Sequence, residues 1–224
     1  MNKQPYYFEI KDLITQFISA FDDVVISRYN KSRVIQDKIE VRYAYAPKER
    51  VLHDLINKAQ HITVPAIAVS IGGVSRDETR VFNKITGSYS ESPDLTSEVS
   101  DLLPSPVPVN VSVNMSIITR FQTDMDQIIS NFVPYSNPYI VISWKVPTDF
   151  VQGRTEEIRS QVEWSGDISL NYPSELTPTS PYRVTADTSF TIKGWLFPDN
   201  SKDDGKRIFY IDTRFIPVTG FEYM

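Results

Sequence analysis

The chain has 224 residues, of which 41% are hydrophobic and 23% charged, and its formal net charge is −5. This composition excludes a disordered tail and a membrane-embedded chain, and the length suits one large domain or two small ones that share a core. The sequence has no cysteine, which excludes disulfides, thiolate zinc sites and cysteine nucleophiles and fits a reducing compartment. The first residues lack the pattern of a signal peptide, and we expect no membrane partner.

The first third of the chain predicts two helices and a hairpin. Apolar residues between Ile10 and Phe21 recur at helical spacing, which predicts an amphipathic helix. The stretches VVISRYN and KIEVRYAY alternate as strands do, and we predict that they pair as a hairpin. Pro47 then opens a second helix in PKERVLHDLINKA, because proline suits a first helical turn.

The middle of the chain predicts two strand regions separated by a long excursion. The stretch TVPAIAVSIGGVSRDETRVFN indicates two strands around a bend or bulge at Gly72 and Gly73. Serine, proline and acidic residues then interrupt every period, so we predict a loop excursion near 85–105. From Val107 to Ile117 every second residue is apolar, which predicts a strand with one face in the core and one polar face.

A third helix follows this strand. We expect Thr123 to cap it, Asp124 and Asp126 to favour its first turn, and Pro134 to end it. The stretch PYIVISWKV then predicts a strand, and a second excursion is expected near 146–181. The stretch YRVTADTSFTIKGWLFP alternates again, and KRIFYIDTRFIPV is a last strand candidate.

These elements predict an α+β fold. We expect a single domain over residues 1–224, in which about three helices pack on one face of a mostly antiparallel, mixed sheet. The excursions near 85–105 and 146–181 leave this domain as long loops, and such loops often carry contacts.

Few residues point to catalysis or metal binding. His53 and His61 are the only histidines, and no acidic residues are spaced beside them as in a metal site. Three acidic pairs can in principle serve acid–base or metal chemistry: Asp22 with Asp23, Asp124 with Asp126, and Asp203 with Asp204. The first and last are more typical of turns, and the middle pair is more typical of a helix start. We therefore predict no catalytic, metal or cofactor site.

Sequence motifs for phosphate binding, acyl transfer and nucleic-acid binding are also missing. The stretch SIGGVS lacks the lysine and the glycine spacing of a phosphate loop, and no serine sits in a nucleophile elbow. Charges of both signs alternate in KERVLHDLINK, so the linear order shows no basic face for nucleic acid. Three Trp, 12 Tyr and 12 Phe suffice for a core and an interface, whereas stacking on bases would need basic residues between them.

Four segments, taken in chain order, carry a family resemblance. They are EVRYAYAPKER, VPAIAVSIGGVSRDETRVFNKI, MSIITRFQTDMDQIISNFVPYSNP and TSFTIKGWLFP. Together they resemble the tail completion proteins, or tail sheath stabilisers, of T-even-like contractile-tailed phages. In the third segment Thr119-Arg120, Asp126-Gln127-Ile128 and Pro134-Tyr135 match that family's strand-to-helix step. In the second segment Ala66 stands where the family has an arginine after the proline, and a serine stands at the end of the third helix where the family usually has a phenylalanine. The stretch 147–181 has no match.

The resemblance implies a structural virion protein and not an enzyme. It implies a tail-terminator-like fold and a homohexameric ring that caps the head-proximal end of the tail tube and sheath, stabilises the extended sheath and joins the tail to the neck. The implied partners are further copies of the chain, the tail sheath protein, the tail tube protein and a neck or head-completion protein, and DNA passes through the lumen without specific binding. The implied location is the neck region of the virion, with assembly in the host cytoplasm.

Seven residues are candidates for interfaces in such a ring. They are Arg120, Asp124, Tyr135, Trp144, Trp164, Trp195 and Phe197. Two alternatives stay open: another virion ring protein, such as a head–tail connector or tube protein, and a metal-dependent hydrolase with a pocket that gathers Asp22, Asp23 and Asp203.

Overall fold

The structure, a computed structural model, describes residues 6–57, 64–81, 87–90, 99–147, 157–173, 182–198 and 205–206. Its helices are α1 (Glu9–Ser19), α2 (Lys48–Asn57) and α3 (Gln122–Tyr135). Its strands are β1 (Val25–Tyr29), β2 (Ile35–Glu40), β3 (Arg42–Tyr45), β4 (Ala66–Arg76), β5 (Gly87–Ser90), β6 (Val99–Pro104), β7 (Val107–Thr119), β8 (Ile140–Lys145), β9 (Glu157–Asn171), β10 (Val184–Leu196) and β11 (Gly205–Lys206). None of the described helices is long and apolar enough to span a bilayer.

The main sheet has six strands in the order β3-β4-β7-β10-β9-β8. Only β3 and β4 run parallel, and the other neighbours in this sheet are antiparallel. β1 and β2 form a separate antiparallel pair, while β11, β6 and β5 form a small antiparallel sheet. The predicted α+β class with a mixed, mostly antiparallel sheet is therefore confirmed.

One face of the main sheet forms the larger core. Every second residue of β7 from Val109 to Ile117 is buried there, and β10 pairs with β7 along its whole length. Helices α1 and α3 cover this face through side chains such as Phe17 and Phe132. The ring centroid of Phe190 on β10 lies 5.1 Å from that of Phe17 and 5.3 Å from that of Phe132, so aromatic packing joins both helices to the sheet.

The third helix packs on the opposite face, which corrects the prediction that all three share one face. Val51 and Leu55 of α2 contact Ala68 of β4 and Ile118 of β7, whose side chains point away from the larger core. The start of β4, from Ala66 to Val69, is thus buried on both faces, and its small alanines leave room for a helix. A continuous apolar run such as AIAV is the pattern expected of a strand buried on both faces.

The stretch KIEVRYAY forms two strands, β2 and β3, although its pattern predicted one. The backbone N–H of Val41 donates to Val24 O at 3.1 Å, and the next N–H, of Arg42, donates to Pro65 O at 3.3 Å. The chain therefore changes its pairing partner at the buried Val41. The predicted hairpin is confirmed for β1 and β2.

Both predicted excursions contain strands, so the prediction of long loops there was wrong. The interval 85–105 holds β5 and β6, and the interval 146–181 holds β9, which lies between β10 and β8 in the main sheet. The alternation of β9 is hidden because Gly166, with a φ of 83°, interrupts it where the pairing register with β10 shifts. Its mostly polar second half also resembles loop sequence.

The ends of several elements differ from their predicted positions. Gly72 and Gly73 form a bulge within the single strand β4, as the register shift there shows. α3 begins one residue before Thr123, its N-cap is Phe121, and no side chain caps it, so the predicted threonine cap was wrong. The last strand candidate, KRIFYIDTRFIPV, lies outside the described residues apart from Lys206 at its start, which belongs to β11.

Candidate functional site

Three of the seven candidate interface residues are buried in their own chain. The relative exposures of Asp124, Trp144 and Phe197 are 2%, 3% and 7%. The indole Nε1–H of Trp144 donates to Ser160 Oγ at 2.9 Å, and the backbone N–H of Phe197 donates to Glu9 Oε1 at 3.1 Å. These side chains are buried within their own chain, which leaves little of their surface for contact with another copy.

Trp164 and Trp195 are partly buried and also serve internal contacts. The indole of Trp164 donates to Thr188 Oγ1 at 2.7 Å, which ties β9 to β10 at the bulge. The guanidinium of Arg80 lies 5.0 Å from the ring centre of Trp195, and its Nε donates to Asp77 Oδ2 at 2.7 Å. Hydrogen bonds from Thr79 and Arg80 lower the pKa of the Asp77 carboxyl to about 2.

Arg120 belongs to an exposed group at the start of α3. Phe121, which is 45% exposed, has the guanidinium carbons of Arg28 and Arg120 at 5.1 and 5.6 Å from its ring centre. Arg28 is held in place by Asp124, whose Oδ2 lies 3.4 Å from Arg28 Nη2. We call Arg28, Arg120 and Phe121 the α3 start patch. It presents an aromatic ring close to two cations.

Tyr135 lies at the opposite end of α3, beside a groove between this helix and the chain that follows α1. Tyr135 is 53% exposed, and its ring centroid lies 5.7 Å from that of Phe21. The groove holds about 370 Å³ and is lined by Ala20, Phe21, Asp23, Val24, Val25, Asn131, Phe132 and Tyr135. We call it the α3 end groove, and its floor is apolar.

The α3 end groove is bordered by negative charge. Asp22 and Asp23 are exposed in the turn that follows α1, as the sequence predicted for turn acids. The hydroxyl of Tyr43 donates to Phe21 O nearby. Burial, and then the charges of Asp22 and Asp23, raise the pKa of this hydroxyl. Two exposed carboxylates therefore lie beside the groove.

A second, polar cleft of about 450 Å³ lies on the other face of the main sheet, between the start of α2 and the bulge of β9. At its floor Asp187 accepts hydrogen bonds from Lys48 Nζ and Ser116 Oγ, both at 2.6 Å, and from Asn171 Nδ2 at 3.0 Å. Partial burial raises the pKa of the Asp187 carboxyl, but these bonds and the charge of Lys48 outweigh it and lower the pKa overall. The carboxylate is thus a structural anchor between α2 and β10.

The residues weighed for metal or hydrolytic chemistry do not form a cluster in the described part of the chain. No three His, Asp or Glu side chains converge there as a metal site would require. Asp126 of the middle pair accepts a hydrogen bond from Gln122 Nε2 at 2.9 Å. His53 lies 3.6 Å from Asp54, measured from Nδ1 to Oδ1. Asp203, Asp204 and His61 lie outside the described residues.

Comparison with protein families matches residues 5–219 of this chain to the T4-like virus Myoviridae tail sheath stabilisers. The chain belongs to the tail sheath stabiliser family. The family resemblance seen in the four sequence segments is thereby confirmed, and this tail sheath stabiliser is a structural protein of phage tails. A search of curated proteins finds no match to this chain.

Two solved structures are similar to this tail sheath stabiliser at low identity. One is the sheath/tube terminator, in the extended state, of the extracellular contractile injection system PVC, with 10% identity, 98% of this chain and 66% of that chain covered, and a TM-score of 0.44. The other is the tube-terminating cap of the anti-feeding prophage, with 10% identity, coverages of 92% and 60%, and a TM-score of 0.36. The chain spans less than two thirds of the length of either structure.

The sequence missed two residues of the α3 start patch. Phe121 and Arg28 were not among the candidates, although Phe121 directly follows Arg120 at the matched strand-to-helix step. An aromatic residue at a helix start, outside any apolar period, is the signal that could have drawn attention to it. Arg28 offers no such signal, because its place beside Phe121 depends on how β1 packs along α3.

Proposed function

We propose that this tail sheath stabiliser caps the head-proximal end of the tail as a ring of six copies and joins the tail to the neck. The observation that carries the proposal is the family match over residues 5–219. In this role the ring covers the exposed edges of the last tube and sheath rings, which stops their growth and holds the sheath extended. Partners are thus the sheath, the tube, the neck protein and further copies of the chain, and the protein performs no catalysis.

The fold suits a part that is repeated around an axis. β7 and β10 pair over thirteen residues each, and helices pack on both faces of their sheet. A cap must resist the contraction of the sheath below it, and a sheet packed on both faces deforms little because its interior is close-packed. This role needs shape and complementary surfaces more than reactive groups.

The test is the lifetime of extended sheaths on tails that lack their own terminator. Added protein is expected to raise the fraction of sheaths that stay extended over time, to the level of complete tails. Tails that already carry a terminator are the matched control and should not change. Unchanged lifetimes on the incomplete tails would contradict the proposal.

Two alternative functions were open from the sequence, a different virion ring protein and a metal-dependent hydrolase. A head–tail connector would bind the neck without affecting sheath lifetime, so the same assay distinguishes it. No feature of the described residues supports a metal-dependent hydrolase. Asp22 and Asp23 lie on an exposed turn, and Asp203 lies outside the described residues.

A further inference from the structure

The α3 start patch and the α3 end groove lie at opposite ends of one rigid unit. Phe121 and Phe132 are separated by about 16 Å along the helix, given a rise of about 1.5 Å per residue. β1 runs beside α3 and is fixed to it, because Gln127 bonds both the N–H and the C=O of Ser27 at 2.9 Å. Arg28 at the far end of β1 is fixed by Asp124.

The two surfaces are complementary, because an exposed aromatic ring matches an apolar groove and arginines match aspartates. The start patch presents a half-exposed ring with two arginines close to it, and the end groove presents an apolar floor beside two aspartates. Burying an exposed aromatic ring in an apolar groove removes apolar surface from water and adds ring–ring contacts. Guanidinium–carboxylate pairs at its border add charge-assisted hydrogen bonds.

We propose that Phe121 of one copy seats in the α3 end groove of a second copy, with Arg120 and Arg28 facing Asp22 and Asp23. This inference rests on the proposed function, since it assigns the contact between neighbouring subunits of the ring. Each copy uses its start patch toward one neighbour and its end groove toward the other.

The charges also favour a head-to-tail contact over a symmetric one. Two start patches face to face would place arginines against arginines, and two end grooves would place aspartates against aspartates, so both symmetric arrangements are repulsive. A head-to-tail contact avoids this. Such a contact repeats from copy to copy and closes into a ring where the rotation allows.

The first experiment uses introduced cysteines, because the chain has none of its own. Phe121→Cys and Asn131→Cys, combined in one chain, place thiols on the patch and in the groove. They are about 15 Å apart on the same helix, beyond the roughly 7 Å between Cα atoms that a disulfide tolerates, so any disulfide joins two copies. Under oxidation on terminator-free tails we expect a ladder of linked multimers. Thr123→Cys with Ser130→Cys, both exposed on α3, is the matched control and should give none.

The outcomes separate the contact from the proposed function. Rings seen by electron microscopy without a ladder would overturn the proposed contact and leave the capping role intact. An equal ladder from the control pair would overturn the contact in the same way. A ladder from the Phe121→Cys and Asn131→Cys pair, together with none from the control pair, supports the contact. If the unmodified protein forms no rings on tails, the proposed capping role is wrong. The contact is then tested by oxidising the cysteine pair in solution, where a ladder supports it and no ladder overturns it.

A charge-reversal cycle tests the same contact with Phe121 retained. Arg120→Asp and Asp23→Arg are each expected to weaken association by about tenfold or more, because each places like charges together. The two changes in one chain should restore most of the association, measured by sedimentation velocity over a concentration series. A double variant as weak as the single variants would overturn the proposal.

Discussion

At the residue scale, buried polar side chains connect elements that are distant in sequence. Glu9 on α1 accepts from Phe197, just after β10, and Ser160 on β9 accepts from Trp144 on β8. Asp77 accepts from its sequence neighbours Thr79 and Arg80, and Arg80 in turn donates to Val109 O on β7 at 2.7 Å. Each of these groups would cost free energy if buried without a partner, so each fixes one relative position of two segments.

We expect Asp77 to make the stability of the fold depend on pH. Its pKa is lowered in the folded chain from 3.8 to about 2, so its contribution is present above the unfolded pKa and is lost as the pH falls toward 2. The difference in unfolding free energy between the wild type and Asp77→Asn should therefore be constant above about pH 5 and shrink between pH 4 and pH 2. Denaturant unfolding at several pH values measures it, and a difference that does not change down to pH 2 would contradict the assignment.

We expect the effects of substitutions at Trp144 and Ser160 on the unfolding free energy to be coupled. Trp144→Phe removes the donor to the buried Ser160 hydroxyl and is expected to lower the unfolding free energy by about 1–2 kcal/mol, with a further loss from the smaller ring. In the variant that also carries Ser160→Ala, the combined loss should be smaller than the sum of the two single losses, because no polar group is left unpaired. Strictly additive losses would show that the hydrogen bond does not contribute.

At the element scale, the close approach of α1 to β10 depends on Gly194. A Cβ atom at this position would lie 2.6 Å from Leu13 Cδ1, and Leu13 is fully buried. The absence of a side chain on β10 therefore sets the distance at which α1 packs. The same helix is also tied to β10 through Glu9.

Gly194→Ala is accordingly expected to destabilise the fold. Leu13 must move within a packed core, and overpacking of this kind costs about 1–3 kcal/mol. Gly73→Ala is the matched control, since no atom lies within 4 Å of the Cβ it would add. Chemical denaturation of both variants measures the difference, and equal stabilities would contradict the proposed packing role.

The sequence predicted the elements whose periods are clean and missed those whose periods are interrupted. β7 and β10 alternate without a break because one face is buried along their whole length, and both were predicted. β9 was missed because a bulge at Gly166 breaks its period, although it lies between two strands of the main sheet. The side of the sheet on which α2 packs was also mispredicted, since an amphipathic pattern defines the buried stripe of a helix but not which sheet face it meets.

The candidate interface residues show the same limit. They were chosen for chemical type, and burial then depended on partners far along the chain, such as Ser160 for Trp144. Arg120 and Tyr135 are exposed, and they border the start patch and the end groove that now define the proposed subunit contact. Which surface residues meet another copy cannot be read from the period of a sequence, because that period reports only the chain's own core.

At the scale of the whole molecule, the balance of charge bears on the proposed lumen. With a net charge of −5, the subunit repels phosphate on average, which favours free passage of DNA. Fluorescence anisotropy with duplex DNA at physiological salt is therefore expected to show no binding at micromolar protein. Salt-dependent binding in this range would mean that basic residues gather on one surface, and it would contradict a lumen through which DNA slides without specific contacts.

We propose that this tail sheath stabiliser forms the ring that ends a contractile tail. The most direct test is cryo-electron microscopy of terminator-free sheathed tails after incubation with the purified protein. We expect a sixfold ring of this chain at the head-proximal tip, in contact with the last tube and sheath rings, above an extended sheath. Tails whose tips stay bare, or a ring bound elsewhere while the sheath contracts as before, would contradict it.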